Sequence, residues 1–175
     1  MAKVSKIVNK EKSLFCAFAF DKRTKKEKSY KDKNCYRKVL KYVLGFSDEN
    51  KRVRYRGGHG VDFTDIDNAV LQFKTVSKMS SKNNGATRKI YHFFLRFNDK
   101  EFDPNLAQIA GDKISEYIFE MGHQNIYAVH EDTEYCHIHF IYNARNFFTG
   151  KQYHASKKER DIFLNNVKQI ALDIM

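Results

Sequence analysis

The clearest alternation of polar and apolar positions in this chain runs over residues 89–97, KIYHFFLRF. Tyr91, Phe93, Leu95 and Phe97 fall on one side and His92, Phe94 and Arg96 on the other, the two-residue period of a strand. Residues 14–20 form a shorter apolar and aromatic run that reads as a first buried strand. Arg52, Arg54 and Arg56 alternate on another, which puts three guanidinium groups on one face, and Gly57, Gly58 and Gly60 then predict a turn. Residues 125–130 and 136–143 read as a hairpin. Between these strands the period lengthens to that of a helix. Asn34 is placed to cap a helix through Phe46, with Val39, Leu40, Val43 and Leu44 as its apolar stripe and Gly45 near its end. Thr64 or Asp65 starts a second helix, through about Ser80. Asp103 and Pro104 open a third that runs to about Met121, where Gly122 closes it. Residues 157–175 make a fourth, turning Phe163, Leu164, Val167, Ile170, Ala171 and Ile174 inward. Segments 22–33 and 81–87 are polar and read as exposed loops, and Thr149-Gly150 predicts a turn and a short hairpin within 144–154. This order of elements predicts an α+β fold, an antiparallel central sheet with helices packed against one face as a layer sandwich. No repeat or linker divides it, so residues 1–175 read as one domain.

The hairpin carries the candidate chemistry. Residues 130–143 read HEDTEYCHIHFIYN. A turn over Asp132 to Tyr135 pairs residue 131 with 136 and sets His130 opposite His137, with about 5 Å between Cβ atoms. His139 lies one pleat further, about 6.6 Å along the strand. His130, His137, His139 and Asn143 then face one way, while Tyr127, Val129, Ile138, Phe140 and Tyr142 face the helices. Three imidazoles at those separations can converge on one metal ion, on the open face of the sheet, where a long substrate can lie across it. Structural zinc sites are closed by four ligands and often contain Cys. Three neutral histidines leave coordination positions empty, which favours catalysis, such as polarising a phosphoryl oxygen. Asp132 reads equally as a group orienting a ligand ring from outside and as a plain turn residue. His92 is placed to approach the metal site or a phosphate. His59, between glycines, and His123, at a helix end, read as solvated.

Composition narrows the partner. Fifteen Phe and ten Tyr among 175 residues are too many for a disordered chain. A net charge of +11 predicts an extended anionic partner, most simply nucleic acid. Arg52, Arg54, Arg56 and the lysine-rich segment 22–33 are candidates for backbone contact, with Lys82, Arg88 and Lys89 as a second cluster. Taken alone, these basic runs read as solvated surface; the company of a metal site makes DNA the better reading. Three widely spaced cysteines predict reduced thiols rather than a disulfide framework, and Cys136 points away from the histidines into the core. No signal peptide or membrane span is legible, so the expected compartment is the cytoplasm.

The histidine segment also resembles a family. His130-x-Asp132, His137-x-His139 and Asn143, leading through Phe148-Thr149-Gly150-Lys151 to Tyr153-His154, is similar to the third motif of plasmid mobilisation relaxases, which are HUH endonucleases. Residues 89–92 opening an aromatic strand, followed by Pro104 and the helix to 121, resemble the elements before that motif in MobA-like relaxases of the MOBP type. Residues 40–44, LKYVL, look like their first motif, which carries a nucleophilic tyrosine. The likeness runs over roughly residues 35–155. It implies an HUH-like fold and a single relaxase (nuclease) domain. It also implies a metal-dependent, site-specific single-strand DNA endonuclease that nicks an origin of transfer for conjugative mobilisation, leaving a 5′-phosphotyrosine and a free 3′-hydroxyl. The implied partners are single-stranded or hairpin DNA and accessory relaxosome proteins, and a monomer is expected. Divalent Mn or Mg is usual in the family, and a histidine set also accepts Zn, Co or Ni.

Residue by residue, the resemblance gives the nucleophile to Tyr42 and a catalytic role to Asp132, with Asn143 and His92 supporting the ligands. Tyrosine has an ordinary pKa of about 10 and needs a nearby base or cation to become a good nucleophile. Tyr30 and Tyr36 lie close to Tyr42 in sequence. Tyr153 is the main rival, because Tyr153-His-Ala-Ser-Lys157 is similar to the tyrosine motif of rolling-circle replication initiators, which share the histidine hairpin. A non-catalytic DNA-binding module is the remaining alternative; it accounts for the charge and leaves the histidines unexplained.

Overall fold

Local signals set the helix boundaries. The computed structural model describes residues 13–18, 31, 34–46, 53–79 and 88–175. Along the chain these form β1 (Leu14–Phe18), α1 (Cys35–Leu44), β2 (Val53–His59), α2 (Ile66–Ser77), β3 (Ile90–Phe97), α3 (Pro104–Glu120), β4 (Asn125–His130), β5 (His137–Asn143) and α4 (Lys157–Ile174). Asp65 starts α2 by accepting from the Asp67 and Asn68 amides, and Asp103 starts α3 by accepting from Asn105. Ser156 and Glu159 form a reciprocal capping box on α4. Asn34 stands before α1, but its side chain makes no capping bond there. That helix ends at Leu44, two residues before Phe46, because Gly45 takes the left-handed conformation at φ 66°. The predicted loops at 22–33, except exposed Lys31, and at 81–87 lie outside the described residues.

All neighbouring strands are antiparallel, in the order β1-β3-β5-β4-β2. β4 and β5 are central and apolar on both faces. One face packs Tyr127, Val129, Ile138, Phe140, Phe93 and Leu95 under α3 and α4, whose Ile114, Phe163, Val167 and Ala171 are buried. The other face carries Ile90, Ile126, Ala128 and Ile141, which also need cover. Leu40, Val43 and Leu44 of α1 and Val70 and Phe73 of α2 supply it. The sandwich therefore has a smaller layer on its second face that the alternation pattern does not announce. The short hairpin expected within 144–154 is present as an Arg145–Gln152 bridge.

Gly57 and Gly58 are not turn residues. They lie inside β2, opposite Tyr127 and Ile126, and only Gly60 turns the chain, at φ 71°. The Tyr127 ring explains Gly57. A Cβ there would stand 2.3 Å from Tyr127 Cε1, and one on Gly111 of α3 would stand 2.4 Å from Cε2. The ring is thus held between two glycines, with its hydroxyl donating to Asp112 at 2.6 Å. Helix propensity favours Ala over Gly at position 111 by about 1 kcal/mol, whereas overpacking a closed core costs about 1–3 kcal/mol. Because Gly57 blocks retreat of the ring, packing wins. Gly111→Ala is expected to lower the urea-unfolding free energy by about 1–2 kcal/mol; a gain would show that the ring has room.

His123 and His59 are also not solvated as the sequence suggested. His123 is buried, its Nδ1–H donates to the Asn143 carbonyl at 2.8 Å, and burial lowers its pKa below the usual value. His59 is half-buried, with Nδ1 2.7 Å from the Ser115 hydroxyl. Both contacts join residues distant along the chain. Cys136 lies in the core as expected, its thiol pushed up to about 12 by burial.

Candidate functional site

β4 and β5 pair with His130 opposite His137 and Ala128 opposite His139. Strand alternation then puts all three imidazoles on the face partly covered by α1 and α2, with His130 in contact with α1. One nitrogen from each of His130, His137 and His139 lies within 4.8 Å of the others. His130 and His139 are buried, at 3% and 8% exposure, and His137 is half-buried. Each ring is aimed by a contact on another nitrogen. His130 Nε2–H donates to the Val43 carbonyl of α1 at 2.8 Å, and His137 Nδ1–H donates to the Tyr135 carbonyl at 3.0 Å. His139 Nδ1 meets Nε2 of buried His92 on β3 at 2.9 Å. These partners fix ring orientation and tautomer, leaving Nδ1 of His130 and Nε2 of His137 and His139 as the donor set. Three neutral imidazoles so arranged fit a divalent ion such as Zn, Co, Ni or Mn. His92 thus touches His139 from the face on which alternation along β3 places it.

Asn143 shares the face, but its amide donates to the Phe73 carbonyl at 3.0 Å and to Gln124 at 3.2 Å, and its oxygen accepts from Ser77 and the Arg145 amide. It ties the end of α2 to the sheet. Asp132 stands in the bend after β4, with Oδ1 3.5 Å from His137 Nε2 and 3.9 Å from His130 Nδ1.

Tyr42 projects over the same cluster. Leu40, Val43 and Leu44 anchor α1 in the core, and the Val43 carbonyl holds His130, so the neighbouring residue reaches the rim. The Tyr42 ring is 52% exposed, with its centroid 5.6 Å from His139 and 6.2 Å from His130. The rival tyrosines Tyr36 and Tyr153 are placed differently. Tyr36 is buried, bonded to the Ser77 hydroxyl, and pushed up to about 12 by burial. Tyr153 packs with Tyr91 and Tyr142 in the core on the opposite face, and burial pushes it up to about 12 as well. Tyr30 lies outside the described residues.

A cleft of about 470 Å³ opens beside the histidines, lined by Tyr42, Phe94, Arg96, Asp132, Thr133, Glu134, Tyr135, His137 and His139. The Arg96 guanidinium lies 5.3 Å from both the Phe15 and Tyr135 ring centroids. Arg96 and Tyr135 were not singled out from sequence as DNA contacts, although alternation along β3 puts Arg96 on the His92 face. Among the described residues, the basic side chains that were singled out are not in the lining of this cleft. A bulge at Arg54 interrupts the β2 register, and Arg54 is 4.0 Å from Glu131. Arg56 donates to the last carbonyl of α1, that of Leu44, at 2.5 Å. Arg88 lies over Tyr91, whose ring belongs to the opposite face, and the Lys89 carbonyl accepts from Ala144. Arg52 and Lys82 lie outside the described residues. Among the described residues, no helix is long and apolar enough to cross a membrane.

Comparison with known proteins gives two matches to this sequence. A family model described as "Relaxase: MobA/VirD2-like, nuclease domain" matches residues 39–173, a span that includes Tyr42, all three histidines and Asp132. A Staphylococcus aureus protein described as "Protein rlx" is 29% identical over 98 residues, covering 56% of this chain and 30% of that protein. The matched region therefore spans under a third of the length of that curated relative.

Proposed function

The chain belongs to the MobA/VirD2-like relaxase nuclease-domain family, and from that premise we propose that it nicks one strand of DNA at an origin of transfer by transesterification. The observation that carries this reading is an exposed tyrosine ring over a three-histidine donor cluster on an open cleft. Tyr42 Oη attacks the scissile phosphorus, the bond from phosphorus to O3′ breaks, and the tyrosine proton ends on the departing 3′-oxygen. The product is a 5′-phosphotyrosine and a free 3′-hydroxyl, and the reverse step rejoins the strand. His130, His137 and His139 would hold a divalent ion, Mn or Mg by our reading, which when bound neutralises charge on the phosphoryl oxygens. His92 and the Val43 carbonyl keep two of those rings in place. The scissile phosphate lies over the histidines, and a neighbouring base stacks in the cleft against Phe94 or Tyr135 beside Arg96; such stacking contributes about 1–3 kcal/mol per base. Single-stranded DNA, free or next to a hairpin, suits an open cleft better than a closed duplex does.

A replication initiator using Tyr153 finds no support, since that ring packs across the sheet from the histidines. A purely DNA-binding module leaves the donor cluster without a role. The test is incubation with a 3′-labelled pool of random single-stranded oligonucleotides and Mn2+. A denaturant-resistant protein–DNA adduct that disappears with chelator is expected. Absence of any adduct, or one that survives chelation, contradicts the proposal.

A further inference from the structure

Asp132 stands on the metal side of the histidines, not behind them. Oriented by their back contacts, His130 presents Nδ1 and His137 presents Nε2, and these are the atoms that Asp132 Oδ1 approaches, at 3.9 and 3.5 Å. A carboxylate that oriented a ring from outside would meet the opposite nitrogen, but those positions are taken by the Val43 and Tyr135 carbonyls. Nor are these spacings hydrogen bonds, which close to about 2.7–3.2 Å. The 3.5 Å spacing to His137 is close to that between two ligands of one ion, and the 3.9 Å spacing to His130 is somewhat longer. With bonds of about 2.1 Å, two donors to one ion sit about 3.0 Å apart at a right angle and about 3.4 Å apart at the tetrahedral angle.

Burial points the same way. The Asp132 side chain is 13% exposed and faces two imidazoles that are neutral when they serve as ligands. We infer that Asp132 is a fourth protein ligand, binding the ion directly through its carboxylate. This rests on the metal reading above and deepens it. One anionic oxygen among three imidazoles moves the site's preference from Zn, Co and Ni toward Mn and Mg, and it lowers the net charge facing the scissile phosphate from +2 to +1.

The test needs no DNA. Mn2+ is titrated into wild type, Asp132→Ala and Asp132→Glu, with the free ion followed by its paramagnetic resonance signal. Exchangeable waters on the bound ion are counted from deuterium modulation of the electron spin echo in D2O. Asp132→Ala is expected to bind Mn2+ at least about tenfold more weakly, keep three imidazole nitrogen couplings and gain one water. Asp132→Glu is expected to keep the wild-type water count. The residue lies in the bend between β4 and β5, and circular dichroism of the metal-free variants checks the fold. Unchanged affinity, or weaker binding with an unchanged water count, overturns the inference. Wild-type protein that binds Mn2+ without imidazole couplings overturns the histidine centre itself, so the two failures are distinguishable.

Discussion

Replacing Tyr42 with Phe removes covalent attachment of DNA, an expected loss of about 10⁴-fold or more, as deletion of a nucleophile gives. The change deletes one oxygen from a ring that is 52% exposed, so folding free energy is expected to move by no more than about 0.5 kcal/mol. The ring and its contacts with His130 and His139 remain. Tyr153→Phe is the matching control. That ring packs against Tyr91, Tyr142 and His123 on the other face of the sheet, where burial raises the pKa of its hydroxyl to about 12 and disfavours the phenolate. Attachment is expected to survive in this variant within a few-fold. The reverse pair of results would assign the chemistry to Tyr153 and require the opposite face of the sheet to bind DNA. Gel resolution of a 3′-labelled oligonucleotide under denaturing conditions reads both variants in one experiment.

His139→Ala is expected to weaken Mn2+ binding by more than about 100-fold, and nicking should fall with it. His139 is the ring most enclosed by the others, with centroids of His130, His137 and His92 all within 5.1 Å of its own. Outer partners of metal ligands typically contribute about 10- to 100-fold in affinity, so His92→Gln is expected to fall in that lower range by loosening His139. The ranking matters more than either value. Calorimetric titration with Mn2+ in the absence of DNA measures it. Equal losses would make His92 a ligand, and wild-type affinity in the His139 variant would remove the ion from this cluster.

Much of the site was legible because a hairpin is a short-range object. A polar bend of four residues and a two-residue period suffice to put His130 opposite His137, and β4 and β5 pair in that register. The apolar stripe of α1 was equally legible. Which face of the sheet it would cover was not, because Leu40, Val43 and Leu44 declare only that they need a partner. The result is consequential, since docking on the histidine face is what brings Tyr42 over the cluster. Gly57-Gly58 was misread because a glycine pair signals a turn locally, whereas its cause is a tyrosine ring arriving from another strand. The same blindness to distant contacts made His123 look solvated and gave Asn143 a role near the histidines instead of its bonds to Phe73 and Gln124. Charge was the least informative signal. It pointed toward nucleic acid, but Arg56 is engaged at the end of α1 and Arg88 lies over Tyr91, while Arg96 in the cleft was not among the residues assigned to DNA.

In the proposed reaction Tyr42, held over His130, His137 and His139, forms the bond to DNA. Digesting the Mn2+-dependent adduct with trypsin and nuclease, then locating the residual nucleotide by mass spectrometry, tests it most directly. Cleavage after Lys41 and Lys51 isolates residues 42–51, in which Tyr42 is the sole tyrosine. A nucleotide joined through a 5′-phosphate to that peptide is the expected result. The same mass on the peptide of residues 152–157, which carries Tyr153, would contradict it.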